Sequence, residues 1–185
     1  MTKVFISGSM RIKRLDENVL SRINNIIEKH YNVIVGDADG VDSSVQEYLK
    51  QKGSDSVLVY CTGSRPRNNL GNWKTNSVST TSKPGTRAYF TAKDLEMAAD
   101  CDYGLMVWDS KSTGTLSNAI ELLARHKKSL VYINKAKEFK AVSNVNDLKN
   151  LLSYMSPSSL KKAEEKLRIN KKIEELSNEQ VQMFA

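Results

Sequence analysis

Short apolar runs alternate with amphipathic stretches along the first 135 residues of the chain. A short apolar or β-branched run between turn-forming residues predicts a strand. Five such runs occur, at residues 4–7, 33–35, 56–60, 103–108 and 129–133. The segments between them repeat apolar residues at helical spacing, which predicts helices over 15–27, 41–51, 87–100 and 116–126.

Strands that alternate with helices form a parallel sheet, and continuously apolar strands indicate that helices cover both of its faces. We therefore predict an α/β fold with a doubly wound parallel sheet of about five strands. This domain is assigned to residues 1–150, since the pattern weakens after Ile133 and leaves only a short helix at 147–152. Between Cys61 and Gly85 no periodicity is sustained, which predicts a long loop.

Residues 151–185 are predicted to form a C-terminal helical segment. Its apolar positions after Pro157 are spaced too loosely for a coiled-coil heptad. We expect a helix that packs either against the domain or against a neighbouring copy of the chain. The second arrangement would make the protein a homo-oligomer.

Glycine-bearing turns follow three of the predicted strands. They contain Gly8, the pair Gly36 and Gly40, and Gly114. Ligands of open α/β sheets collect at the carboxyl ends of the strands, so these turns are expected to converge on one crevice. The last turn, Ser112-Thr113-Gly114-Thr115, leads directly into a helix, where free backbone N–H groups and the helix dipole favour an anion. A phosphate is the predicted ligand there.

The turn after the second strand carries three carboxylates, Asp37, Asp39 and Asp42. Asp42 can accept hydrogen bonds from ribose hydroxyls, or it can simply cap the helix that follows. Asp37 and Asp39 are typical turn residues. The sequence leaves both roles of Asp42 open.

Nearly all of the net charge of +7 lies in residues 61–93, which hold six cations and no acid. An anionic partner is therefore expected at the middle of the chain. Arg65, Arg67 and Arg87 could hold a phosphate with bidentate contacts, or the loop could be a solvated basic surface. Trp108, beside the Ser112 turn, is a candidate for stacking on a base or for the core.

Composition narrows the class of protein. The chain is 39% hydrophobic and 26% charged, as in ordinary globular proteins, and no apolar run approaches the ~20 residues of a membrane span. The N-terminus lacks the apolar region of a signal peptide, which predicts a cytoplasmic protein. Cys61 and Cys101 are far apart and the chain has two histidines, so we expect reduced thiols, no metal site and no cofactor.

The order of these motifs resembles the SLOG superfamily of Rossmann-like proteins. This group includes relatives of the cytokinin-activating phosphoribohydrolases, the single-strand-DNA-processing A proteins and the YspA/YpsA-type proteins. The resemblance covers about residues 1–135 and rests on five segments: Ser7-Gly8-Ser9, Gly36-Asp37-Ala38-Asp39-Gly40-Val41-Asp42, 93–98, 102–109 and Ser112-Thr113-Gly114-Thr115. It implies a nucleotide or nucleotide-derived ligand and, in some relatives, hydrolysis of an N-glycosidic bond.

One departure from the resembling enzymes concerns catalysis. The phosphoribohydrolases carry a glutamate three residues after the threonine of the Gly-Thr turn, where this chain has Asn118. Asparagine can contact a ligand, but it cannot stabilise an oxocarbenium-like transition state as a carboxylate does. Asp37, Asp42 or Asp94 could substitute for this glutamate, and Glu121 is the nearest carboxylate, on a neighbouring face of the same helix. Asp42, Asp94 and Glu121 are the catalytic candidates.

Three functions follow from these observations. The first is a nucleotide-binding module that acts as a sensor, carrier or sequestering protein, and the second is a nucleoside-phosphate N-glycosidase or transferase. Nucleic-acid binding through residues 61–93 is disfavoured, because no nucleic-acid motif accompanies the charge. Membrane association is not expected. The ligand-binding residues are predicted to be Gly8, Ser9, Gly36, Asp37, Gly40, Asp42, Arg65, Arg87, Lys93, Asp94, Trp108, Ser112, Thr113, Gly114, Thr115 and Asn118.

Overall fold

A computed structural model describes residues 1–182 of the chain, with seven strands and seven helices in that part. The strands are β1 (Lys3–Gly8), β2 (Asn32–Gly36), β3 (Val57–Thr62), β4 (Lys74–Val78), β5 (Tyr103–Trp108), β6 (Lys128–Ile133) and β7 (Glu138–Val142). The helices are α1 (Glu17–Glu28), α2 (Val41–Gln51), α3 (Arg87–Asp100), α4 (Thr113–Ala124), α5 (Val145–Leu152), α6 (Pro157–Leu167) and α7 (Ile169–Gln182).

All strands belong to one sheet with the order β4-β3-β2-β1-β5-β6-β7. Every neighbouring pair is parallel except β6 and β7, which are antiparallel. The strand order runs outward in one direction from β1 to β4 and in the other from β5 to β7. It therefore reverses between β1 and β5, which is the switch point where this class of sheet binds ligands.

Alternating side chains along the strands build two apolar layers, one on each face of the sheet. Val4 and Ile6 of β1 pack with α1 and α2, whereas Phe5 packs on the opposite face with the remaining helices. Both layers hold fully buried large side chains, such as Ile23 on one side and Trp108 on the other. The prediction of an α/β fold with a doubly wound parallel sheet is confirmed, and β7 is the one antiparallel strand among those described.

The sheet has seven strands, whereas the sequence predicted about five. The two strands that were not predicted are β4 and β7. Residues 74–78 fall in the region that we expected to be a loop, yet they form the edge strand β4 beside β3. β7 forms the opposite edge. Both sequences, KTNSV and EFKAV, are rich in polar residues because an edge strand is covered less than a central one, so neither shows the apolar run that predicts a strand.

The C-terminal segment contains two helices, separated at Arg168, whose φ is 52°. Ala163, Leu167 and Ile169 are buried in the same apolar layer as α3 and α4. The boundary predicted at residue 150 lies inside α5. The helices that follow it, α6 and α7, pack into this same apolar layer. Within residues 1–182, no helix has the length and apolar character needed to cross a membrane.

Gly40 is required both by its backbone angle and by its surroundings. It precedes α2 with a φ of 81°, and a Cβ built there would lie 2.3 Å from the carbonyl oxygen of Met10. Gly85 has the same φ, but no atom lies within 4 Å of its Cβ position. The close contact at Gly40 brings the chain after β1 against the start of α2.

We expect Gly40→Ala to destabilise the fold by about 3 kcal/mol or more, because a backbone clash adds to the unfavourable φ. Gly85→Ala serves as the control and is expected to cost about 1–2 kcal/mol, from the φ alone. Urea unfolding of both variants measures the difference. Equal losses in the two variants would contradict the contact with Met10.

Candidate functional site

A cavity of about 630 Å³ opens at the carboxyl ends of β1 and β5, at the reversal of strand order. Its volume lies in the range of small-molecule sites in proteins. Ser7 and Gly8 of β1 contribute to its wall, together with the start of α2, the middle of α3, the turn after β5, the start of α4 and one side of α6. Turns from three strands thus converge here, as the sequence predicted.

The first turn of α4 forms one wall of the cavity. The hydroxyl of Ser112 caps the helix by accepting from the backbone N–H of Thr115 at 3.3 Å. Asp109 accepts from the backbone N–H groups of Lys111 and Ser112 at 2.9 and 2.7 Å. The N–H groups of Thr113 and Gly114 have no acceptor among residues 1–182, so they are the donors that this turn offers to a ligand.

Gly114 leaves the space in front of these N–H groups open. A Cβ at this position would have a single neighbour within 4 Å, the hydroxyl oxygen of Ser112 at 3.9 Å. The glycine is therefore not required by packing. It does let a ligand come close to the backbone of the helix.

Ser9 links the chain after β1 to the turn and helix that follow β5. Its side chain is fully buried, and its hydroxyl accepts from the backbone N–H of Asp109 at 3.1 Å and lies 3.5 Å from the hydroxyl of Thr115. Its hydrogen-bonding capacity is used to connect β1 to the turn after β5 and to α4. Unlike Ser7 and Gly8, Ser9 does not line the cavity, so we correct its predicted role from ligand contact to support.

Asn118 lines the cavity one turn further along α4. It is 5% exposed, and its Nδ2 donates to the hydroxyl of Ser7 at 3.2 Å. This hydrogen bond fixes the orientation of the amide. The contact also gives Ser7 a place in the site that the sequence did not assign to it.

A cluster of three charged side chains, Asp42, Lys93 and Asp94, forms a second wall. Lys93 is 4% exposed, and its ammonium group pairs with Asp94 at 2.7 Å. A Cβ on Gly36 would lie 2.4 Å from Oδ2 of Asp42 and 2.6 Å from Nζ of Lys93. A side chain at position 36 would therefore have to displace these two groups, because they occupy the space above its backbone.

Burial raises the pKa of Asp42 to about 7, although the charge of Lys93 acts in the opposite direction. Burial lowers the pKa of Lys93, but the carboxylates of Asp94 and Asp42 outweigh it and the pKa is raised. Lys93 therefore stays protonated. Asp42 changes between its neutral and charged forms near neutral pH.

One oxygen of the Asp42 carboxyl has no partner in the described part of the chain. Oδ2 accepts from the backbone N–H of Ala38 at 3.3 Å, whereas Oδ1 is buried without a hydrogen bond. The N-cap of α2 is Gly40, and no side chain caps this helix. Asp42 is thus not the cap of this helix, and its contact with a ligand stays a prediction.

Asp37 has a structural partner. Its carboxylate accepts two hydrogen bonds from the guanidinium group of Arg67, at 3.1 and 2.7 Å, and a third from the backbone N–H of the same residue at 2.9 Å. Burial raises the pKa of Asp37, but these hydrogen bonds and nearby positive charges outweigh it and the pKa is lowered. The pair attaches the chain after β3 to the turn after β2. Arg67 also stacks on the ring of Phe90 at 4.7 Å, and both residues line the cavity.

Four predicted site residues are placed elsewhere. Trp108 is fully buried in the core, where its Nε1 donates to the carbonyl of Ser112 at 2.9 Å, so its ring presents no face to a ligand. Glu121 pairs with Arg125 at 2.8 Å, one turn along α4 and outside the cavity lining. Arg65 and Arg87 are exposed and do not line the cavity, so of the three arginines considered for a phosphate only Arg67 lies at the site.

The remaining predicted residues divide into two groups. Gly36, Asp37 and Gly40 shape the turn behind the cavity wall without lining it. The predicted residues that do line the cavity are Gly8, Asp42, Lys93, Asp94, Ser112, Thr113, Gly114, Thr115 and Asn118.

Sequence reasoning missed several lining residues. Met10, Arg11 and Ala38 follow strands β1 and β2, and Lys111 precedes α4. Their positions next to the predicted turns could have identified them. Ser159, Lys162 and Lys166 come from α6, and no pattern in the sequence connects that helix with the turns after the strands. No family model, no curated protein and no solved structure matches the chain.

The raised pKa of Asp42 predicts a pH dependence of stability. The native state keeps the proton to about pH 7, whereas the unfolded chain releases it near its ordinary value of 3.8, so stability falls as the pH rises between these values. Relative to Asp42→Asn, the wild type is expected to lose about 2 kcal/mol of unfolding free energy between pH 5 and pH 8.

Urea unfolding at several pH values measures this loss. Asp55→Asn provides the control, since Asp55 is exposed and the charge change is the same. A difference between the wild type and Asp42→Asn that is constant with pH would contradict the burial of an ionisable Asp42.

Proposed function

We propose that the cavity binds a nucleotide or a nucleotide-derived small molecule, and that the protein acts as a sensor, carrier or sequestering protein for it. The phosphate is assigned to the first turn of α4. Two free backbone N–H groups and the positive end of the helix dipole make this turn favourable for an anion. Arg11 and Lys111 line the same cavity, form no ion pair within residues 1–182 and add positive charge.

The sugar is assigned to Asp42 and Asn118. The unpartnered Oδ1 of Asp42 costs about 1–3 kcal/mol while it stays without a hydrogen bond, so a ribose hydroxyl would be a favourable partner. Asn118 adds an amide on the neighbouring wall. Phe90 lines the cavity and is 38% exposed, so the part of its ring that Arg67 leaves uncovered is available to a base.

The observation that carries the proposal is one cavity lined both by the N-terminus of α4, which favours an anion, and by Asp42, whose Oδ1 is buried without a hydrogen bond. Its place at the reversal of strand order adds support, since ligands of this class of fold bind there. The resemblance of the turns to the SLOG superfamily agrees with this ligand class.

Hydrolysis of an N-glycosidic bond is the second candidate, and the pKa of Asp42 favours it. A carboxyl group with a pKa of about 7 can act as a general acid at neutral pH, and a departing base needs a proton. Asp94, in the same cavity, would supply the carboxylate that Asn118 cannot.

Nucleic-acid binding receives less support. Of the six cations in residues 61–93, Arg67 pairs with Asp37 and Lys93 is buried against Asp94. Their charges are already balanced within the fold, which reduces the positive surface available to a phosphate backbone.

Replacement of Gly114 tests the phosphate position. We expect the wild type to bind at least one of the four common ribonucleoside 5′-monophosphates in calorimetry. Gly114→Asp is expected to weaken this binding by about tenfold or more, because it places a carboxylate beside the phosphate. An acidic residue in the first turn favours the helix, so the variant should remain folded.

Gly114→Asn is the matched control, with the same shape and no charge. It should weaken binding much less than Gly114→Asp, and inorganic phosphate should compete with the nucleotide. Equal effects of the two substitutions, or no binding of any monophosphate by the wild type, would contradict the proposal. The same mixtures, analysed for free base, decide the second candidate: release that is lost in Asp42→Asn or Asp94→Asn would establish hydrolysis, whereas the binding proposal predicts none.

A further inference from the structure

One side of α6 faces the cavity. Ser159, Lys162 and Lys166 recur at helical spacing and line the cavity, while the adjacent stripe of Ala163 and Leu167 is buried. Because the buried stripe packs in the same apolar layer as α4, the neighbouring stripe lies beside the start of that helix. The C-terminal segment therefore contributes to the site, although the family resemblance ends near residue 135.

More cationic than acidic side chains line the cavity. Six cations line it, of which Arg67 and Lys93 form ion pairs with aspartates. The remaining four are Arg11, Lys111, Lys162 and Lys166, and none of them forms an ion pair within residues 1–182.

The placement of the two α6 lysines is itself unfavourable without a ligand. Lys162 and Lys166 are four residues apart on one face of the helix, where like charges repel. The glutamates of this helix, Glu164 and Glu165, do not line the cavity. An anion between the lysines would relieve the repulsion.

We propose that α6 forms a second anion subsite, in which Lys162 and Lys166 bind a further phosphoryl group of the ligand. The preferred ligand is then a nucleotide with two or more phosphate groups. A single phosphate at the start of α4 would leave the four unpaired cations largely without a counter-charge, whereas a diphosphate brings additional negative oxygens to them. This inference rests on the proposed nucleotide-binding function.

Calorimetry with nucleoside 5′-monophosphates and the corresponding 5′-diphosphates tests it. The wild type is expected to bind the diphosphate about tenfold more tightly than the monophosphate, as charge-assisted contacts are added. In Lys162→Gln/Lys166→Gln this preference should fall to about twofold, with little change for the monophosphate.

Lys161→Gln/Lys172→Gln is the control. It removes the same charge from α6 and α7 at positions that do not line the cavity, and it should keep the full preference. Equal wild-type affinity for the two nucleotides, or the same loss of preference in both double variants, would overturn the subsite while the proposed function stands. Failure of every nucleotide to bind the wild type would overturn both.

Discussion

The site depends on the direction in which the chain leaves two adjacent parallel strands. After β1 the chain passes to α1 on one face of the sheet, and after β5 it passes to α4 on the other face. The two connections diverge, so the carboxyl ends of the central strands are left uncovered. The cavity is the space between them, and the first turn of α4 points its free N–H groups into it.

This geometry also determines which charged side chains line the cavity. α2 and α3 lie on opposite faces of the sheet, yet Asp42 from one and Lys93 from the other meet above Gly36. The missing side chain of Gly36 at the end of β2 leaves room for both groups. Asp42 is buried in this position. Its burial raises the pKa of its carboxyl group and leaves Oδ1 without a hydrogen bond, so the cavity contains a carboxyl group that can be neutral at neutral pH.

Most of the central fold could be predicted from local pattern. Strands such as β5 are apolar throughout, and helices such as α2 begin close to the predicted residue, because packing on a buried face sets both patterns. The edge strands β4 and β7 could not be found this way, since their exposed positions tolerate polar residues.

The site was predictable where it consists of chain segments that follow strands. The Ser112 turn and Asp42 line the cavity because the fold class brings the carboxyl ends of strands together, whereas Asn118 was singled out by the resemblance to the phosphoribohydrolases. Trp108 lies in the core, one of the two places left open for it, and Arg65 and Arg87 do not line the cavity, since a single sequence does not reveal which way a side chain points. The lysines of α6 depend on a tertiary contact for which the sequence carries no local signal.

The central claim is that the first turn of α4 binds the phosphate of a nucleotide. Amide resonances followed by NMR during titration with a nucleoside monophosphate test it most directly, because a phosphate that accepts from an N–H group shifts that resonance strongly. We expect the largest shifts at Thr113 and Gly114, with smaller changes at Asn118. Shifts confined to exposed cations such as Arg65 and Arg87, with Thr113 and Gly114 unchanged, would contradict it.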